Sequence, residues 1–68
     1  MKYEVCFNGV QVLGGEVGSS DFFDTEPEAV AFALSLVDNI RRGRVVGDWL
    51  CASVNVYEAG RIVFAEDV

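Results

Sequence analysis

The sequence predicts an α+β domain in two layers, a four-stranded antiparallel sheet in the order ββαββ with one helix packed on one face. Three observations predict it. An alternating apolar stretch, Tyr3 to Val12, is broken by Asn8-Gly9; a helical stretch with clear end signals runs from Thr25 to Gly43; and a second alternating stretch, Ala52 to Phe64, is broken by Glu58-Ala59-Gly60. Two hairpins around a helix bury their apolar faces most economically as one sheet under that helix, and 68 residues make residues 1–68 a single domain.

In the first hairpin Tyr3, Val5 and Phe7 alternate with Lys2, Glu4 and Cys6. Asn-Gly is the strongest signal for a two-residue type I′ turn, because both central residues need positive φ. A turn at Asn8-Gly9 sets Phe7 opposite Val10 and Val5 opposite Val12, so that Tyr3, Val5, Phe7, Val10 and Val12 share the core face. Gly14-Gly15 then ends the second strand, with Glu16 and Val17 able to extend it past a bulge, and Gly18-Ser19-Ser20 reads as a loop.

The helix is expected from about Glu26 to Arg42. Thr25 followed by Glu28 is a capping box, and Pro27 falls in the first turn, where its missing N–H is no loss. Asp24, Glu26 and Glu28 suit the positive end of the macrodipole, Arg41 and Arg42 the negative end, and Gly43 suits the left-handed stop. Ala29, Ala33, Leu36, Val37 and Ile40 recur at helical spacing, and Val30, Phe32 and Leu34 widen the apolar arc beyond what one sheet face needs.

A linker, Arg44 to Asp48, leads to the second hairpin. A three-residue loop at Glu58-Ala59-Gly60 sets Tyr57 against Arg61, Val56 against Ile62 and Val54 against Phe64, with Val54, Val56, Ile62 and Phe64 on the core face. The expected core is Tyr3, Val5, Phe7, Val12, Val30, Ala33, Leu34, Val37, Ile40, Val54, Val56, Ile62 and Phe64, and the tail from Glu66 to Val68 is expected to fray. Strand order is open at this level.

Charge and composition narrow the function. Five Lys and Arg face eleven Asp and Glu, a net charge of -6, against the clustered cations that duplex binding requires. The absence of histidine removes Ser-His and Cys-His catalysis and imidazole metal sites. Cys6 and Cys51 form no Cys-x-x-Cys pair and read as two reduced thiols, or as a single bridge if their strands are neighbours. The longest apolar run, Ala29 to Leu34, falls far short of a membrane span, and no secretory signal opens the chain; a cytoplasmic protein without cofactor or metal is expected.

The densest polar feature is Asp21, Asp24, Glu26 and Glu28, interleaved with Phe22 and Phe23. Helix capping accounts for Asp24, Glu26 and Glu28 but not for Asp21, and the spacing lacks the order of an EF-hand calcium loop. No pair of carboxylates is set in a cleft, and Gly14-Gly15-Glu16-Val17-Gly18 does not lead into a helix as phosphate-binding glycines do, so the chain is not expected to be an enzyme. Arg41, Arg42 and Arg44 are the only basic cluster; the helix C-terminus accounts for Arg41 and Arg42, and the three suit a local contact to an acidic patch on a protein better than a nucleic-acid footprint. Trp49 either closes one end of the core or, exposed, anchors a partner. Tyr57 and Val63, with Cys6, Leu13, Cys51 and Asn55, are expected on the sheet face turned from the helix, a mixed surface suited to a partner or to a homodimer.

The acidic stretch Asp21 to Glu28, the lack of a catalytic set and the hairpin-helix-hairpin plan resemble the small acidic inhibitors that phages encode against bacterial defence, notably anti-CRISPR proteins. That resemblance implies an inhibitor that blocks a basic nucleic-acid-binding complex as a DNA mimic, through Asp21, Phe22, Asp24, Glu26, Glu28, Trp49 and Tyr57, without binding nucleic acid itself. A fainter resemblance, through the opening Met-Lys-Tyr and the acidic helix start, runs to HicB-type antitoxins, which implies a dimerising regulatory module; an accessory subunit of a larger assembly is the third expectation.

Overall fold

The computed structural model describes residues 2–45 and 47–68. Four strands and a helix follow one another as β1 (Tyr3–Gln11), β2 (Glu16–Phe23), α1 (Glu26–Arg41), β3 (Trp49–Glu58) and β4 (Arg61–Asp67). The sheet is antiparallel throughout, in the order β2-β1-β3-β4, and α1 lies across one face of it. This is the expected α+β architecture, with the strand order now supplied. The molecule spans 35 × 21 × 15 Å, and the short dimension is that of one sheet and one helix.

The first hairpin departs from expectation. β1 runs straight through Asn8-Gly9, and the chain reverses at Val12-Leu13-Gly14 instead. There Gly14 N–H donates to the Gln11 carbonyl and Gln11 N–H to the Gly15 carbonyl, both at 3.0 Å, a type I turn followed by a bulge. Gly14 at φ 92° is the residue this turn requires. Gly9 does not have positive φ; it is glycine because the Trp49 ring lies on it, so close that a Cβ would stand 2.6 Å from Trp49 Cζ3. The buried side of β1 is therefore Tyr3, Val5, Phe7 and Gly9, and Val12, expected in the core, is 55% exposed in the turn. Gly18-Ser19-Ser20, expected as a loop, lies within β2.

The helix forms as expected. Thr25 Oγ1 accepts from the Glu28 N–H and its hydroxyl donates to the Glu28 carboxylate at 2.7 Å. At the other end Arg42 N–H reaches the Asp38 carbonyl, Gly43 N–H the Ile40 carbonyl and Arg44 N–H the Asn39 carbonyl, with Gly43 at φ 71°. Ala29, Ala33, Val37 and Ile40 form the buried stripe. The two alanines let the helix settle close to β1 and β3. Leu34, one residue past Ala33 and so about 100° round the helix, is 51% exposed and outside the core where it was expected.

The second hairpin closes through Ala59-Gly60, both at positive φ, in a two-residue loop that pairs Glu58 with Arg61 and Tyr57 with Ile62. A bulge then moves the register, so Val56 faces Phe64 and Val54 faces Glu66. Ile62, set opposite Tyr57 by the two-residue loop, is turned to solvent, 54% exposed, against the expected core position. Val63, expected on the open face, packs with Phe64 against the core. The tail does not fray: Val68 N–H donates to the Ala52 carbonyl at 2.9 Å, and Arg41 binds the Glu66 carboxylate and the Asp67 carbonyl. The core is Tyr3, Val5, Phe7, Ala29, Ala33, Val37, Ile40, Ala52, Val54 and Val56.

Candidate protein-docking surface

With the helix on one side only, the other sheet face is open. Directly opposed residues share a face, so the pairings arrange it in rows across the strands. Phe22, Glu4, Tyr57 and Ile62 form the first; Ser20, Cys6, Asn55 and Ala65 the second; Gly18, Asn8, Ser53 and Asp67 the third. The middle is small and polar, with Cys6 Sγ 3.6 Å from Ser20 Oγ, and a shallow concavity lies over Asn8, Gly18, Cys51 and Ser53. Aromatic surface gathers at one end, where Phe22 is 52% exposed and Tyr57 stands two strands away, about 10 Å.

The same end is acidic. Asp21 lies on the helix side of β2, Phe22 on the open side, and Asp24 leads directly into the helix start, with its Glu26 and Glu28. Glu26 reaches close enough to act electrostatically on Tyr3 at the start of β1. These acidic residues and Phe22 thus lie at one end of the molecule, and Tyr57 joins them through the row that holds Glu4. Trp49 does not. Eight residues from Tyr57 along β3, about 26 Å, it packs edge-on against Phe7 with ring centroids 5.2 Å apart, and so serves the core. Its Nε1 is buried and, among the described residues, without a partner.

Each basic side chain has a polar partner. Lys2 and Arg61 both bind Glu58, Arg41 binds Glu66, Arg42 binds Asp38, and Arg44 donates to Asn39. Among the described residues, Glu4, Glu16, Asp21, Asp24, Glu26 and Glu28 form no ion pair. Glu58 is the exception at this end: hydrogen bonding from the Tyr3 hydroxyl first, then the Lys2 ammonium, holds its carboxyl below the usual range. The same contact pushes the Tyr3 phenol up.

Among the described residues no three Cys, Asp or Glu side chains gather as metal ligands, and no helix is long and apolar enough to cross a membrane. Cys6 and Cys51 are free thiols; they lie on adjacent strands but two rows and then some apart, about 13 Å along the ladder, beyond bridging distance. Burial, chiefly, raises the Cys6 pKa, so that this thiol is a poor nucleophile at neutral pH.

Two features escaped sequence reasoning. One is the apolar tip of the first hairpin, where Leu13 is 96% exposed and the Val12 N–H donates to the Asp48 carbonyl, beside exposed Leu50. The other is β2 itself, every residue of which but Phe23 is exposed on a sheet edge. No family model, no curated protein and no solved structure matches the chain.

Proposed function

We propose that the protein is a non-catalytic inhibitor, anti-CRISPR-like in kind, that acts in the cytoplasm by docking its acidic end into the basic nucleic-acid groove of an effector complex. The observation that supports this reading is segregation of charge. Among the described residues eight carboxylates form no ion pair, and six of them, Glu4, Glu16, Asp21, Asp24, Glu26 and Glu28, lie along one edge and end, where the nearby cations Lys2 and Arg61 are both engaged by Glu58. Helix capping explains only the residues around Thr25; Asp21 caps nothing and has no cation beside it. A one-signed patch of this kind steers a basic partner and repels nucleic acid. Phe22, exposed between Asp21 and Glu4 on neighbouring positions, supplies the apolar contact that charge alone does not.

The test is capture of partners from a bacterial lysate, followed by association kinetics of the captured complex at rising salt. Association slows as the Debye length shrinks to about 8 Å at physiological strength, and Asp21→Lys with Asp24→Lys slows it further without unfolding the domain. The bound protein excludes nucleic acid from the partner. Kinetics indifferent to salt, with the partner's nucleic-acid binding unimpaired, refute the mimicry.

A further inference from the structure

β2 has an outer side with nothing on it. Gln11 N–H bonds to the Gly15 carbonyl, and from there the register with β1 runs without a shift to Tyr3 opposite Phe23. Bonded and non-bonded pairs alternate in an antiparallel ladder. Val17, Ser19, Asp21 and Phe23 therefore turn their backbone groups to β1, as the Lys2 N–H on the Phe23 carbonyl at 3.1 Å agrees. Glu16, Gly18, Ser20 and Phe22 turn theirs outward.

Sheet edges are ordinarily blunted by a bulge, a proline, a lysine or a covering segment. β4 has such protection: a bulge beyond Ile62, and Arg41 bonded to the Asp67 carbonyl. β2 has none of these, and its one inward-facing charge, Asp21, is an anion. Its register is unbroken, its sequence holds no proline or lysine, and the helix leaves it exposed. A second copy is a poor occupant, because it would bring Glu16, Asp21 and Asp24 of both chains, each chain at net charge -6, to one seam. An added strand would place alternate side chains beside Asp21 on the helix side and beside Phe22 on the open side.

We propose that the partner docks by adding an extended strand to the outer edge of β2, with a basic side chain beside Asp21 on the helix side and an apolar one beside Phe22 on the open side. This rests on the reading of the acidic end as a protein-docking surface, and it adds the backbone mode by which that surface is recognised.

The probe is a ten-residue peptide alternating lysine and valine, with a glutamate-valine peptide as control, read by amide hydrogen exchange in the intact protein. On binding, exchange at Gly18 and Ser20 slows, whereas Ser19 and Asp21, already in the β1 ladder, change little. Ser20→Pro removes an outward N–H and spares the β1 ladder, so it weakens the peptide by about tenfold, the equivalent of one net backbone hydrogen bond, at an unchanged unfolding midpoint. The exchange result on the natural sequence stands whether or not that variant folds. Salt-dependent peptide binding that leaves Gly18 and Ser20 exchanging freely overturns strand addition and spares the acidic docking surface. Equal binding of the glutamate peptide overturns the basic occupant. Protection that grows with protein concentration in the absence of peptide assigns the edge to a second copy instead. Binding of neither peptide overturns both readings.

Discussion

Gly9→Ala is the sharpest probe of how this sheet is registered. A Cβ at Gly9 would lie 2.6 and 2.7 Å from Trp49 Cζ3 and Cε3 and 2.9 Å from Phe7 Cζ. All three are ring carbons of an edge-to-face pair set at 79°, so none of them is the free end of a flexible chain. Forcing one extra methyl into such a contact costs about 1–3 kcal/mol, while the lost freedom of the unfolded glycine returns about 0.4–1 kcal/mol. The net is a destabilisation of about 1–2 kcal/mol. A 68-residue domain holds about 3–10 kcal/mol in all, so the variant stays folded and measurable. In a Trp49→Leu background the large ring is gone, and Gly9→Ala becomes neutral or stabilising by up to about 1 kcal/mol. Urea unfolding of the four proteins, followed by far-ultraviolet circular dichroism, gives the coupling directly. An equal cost in both backgrounds, coupling below about 0.5 kcal/mol, refutes the contact and returns Gly9 to the role of a turn residue, whose need for positive φ would not depend on Trp49.

Three further outcomes follow from the same geometry. Ala59, the only non-glycine described with positive φ, sits at the first loop position of the second hairpin; Ala59→Asn, suited to that conformation, raises stability by about 0.5–1 kcal/mol in thermal unfolding. Val56→Ala, at a fully buried position, costs about 1.6 kcal/mol or more, whereas half-exposed Leu34→Ala costs less despite removing the larger side chain. Glu58, with its pKa lowered by the Tyr3 hydroxyl and then Lys2, contributes stability that is complete above the ordinary carboxylate range and lost as pH falls through its folded value; Tyr3, raised, contributes below the ordinary phenol range and loses it as pH rises. Glu58→Gln therefore flattens the acid limb of stability against pH, and an unchanged acid limb removes this contact from the account.

Local signals carried the helix almost unaided. Thr25, Glu28, Pro27 and Gly43 mark its ends through bonds that span only a few residues, and those bonds are present. The hairpins needed information from farther away. Asn8-Gly9 is the stronger turn by propensity, yet the ring that claims Gly9 belongs to Trp49, forty positions on, and the reversal falls to Gly14. Moving the turn carries Val12 out of the core, because the period of two transmits any shift to each side chain beyond it. The two-residue loop that turns Ile62 out and the bulge at Val63 that returns Phe64 to the core side likewise have no local mark, since Arg61 to Phe64 reads equally well in either register. The acidic residues around the helix start were legible as a group because capping and charge are read locally. Trp49 stands apart from them in the core-closing position that was one of its two readings, and the choice between the two depended on a strand that begins at Trp49 itself.

β2 was illegible for a reason that bears on what the protein does. Sequence patterns reveal a strand by the side it buries, and Glu16 to Phe22 bury neither side. The strand holds its place through one ladder of backbone bonds to β1, with Gly18, Ser19 and Ser20 at its middle offering almost no side-chain packing. Such a strand contributes little to the stability of the core it flanks. What it does supply is position: an unpaired edge carried beside the carboxylates of Asp21, Asp24 and Glu28 and the exposed ring of Phe22. Lysine and proline are common protections of such an edge, and β2 carries neither. Here its charges are carboxylates, which deter pairing with a second copy of the chain and favour a cationic strand. The absence of amphipathic pattern that disguised β2 as a loop is what the proposed docking edge requires, because a strand that packs inward on neither face keeps its outer backbone groups open.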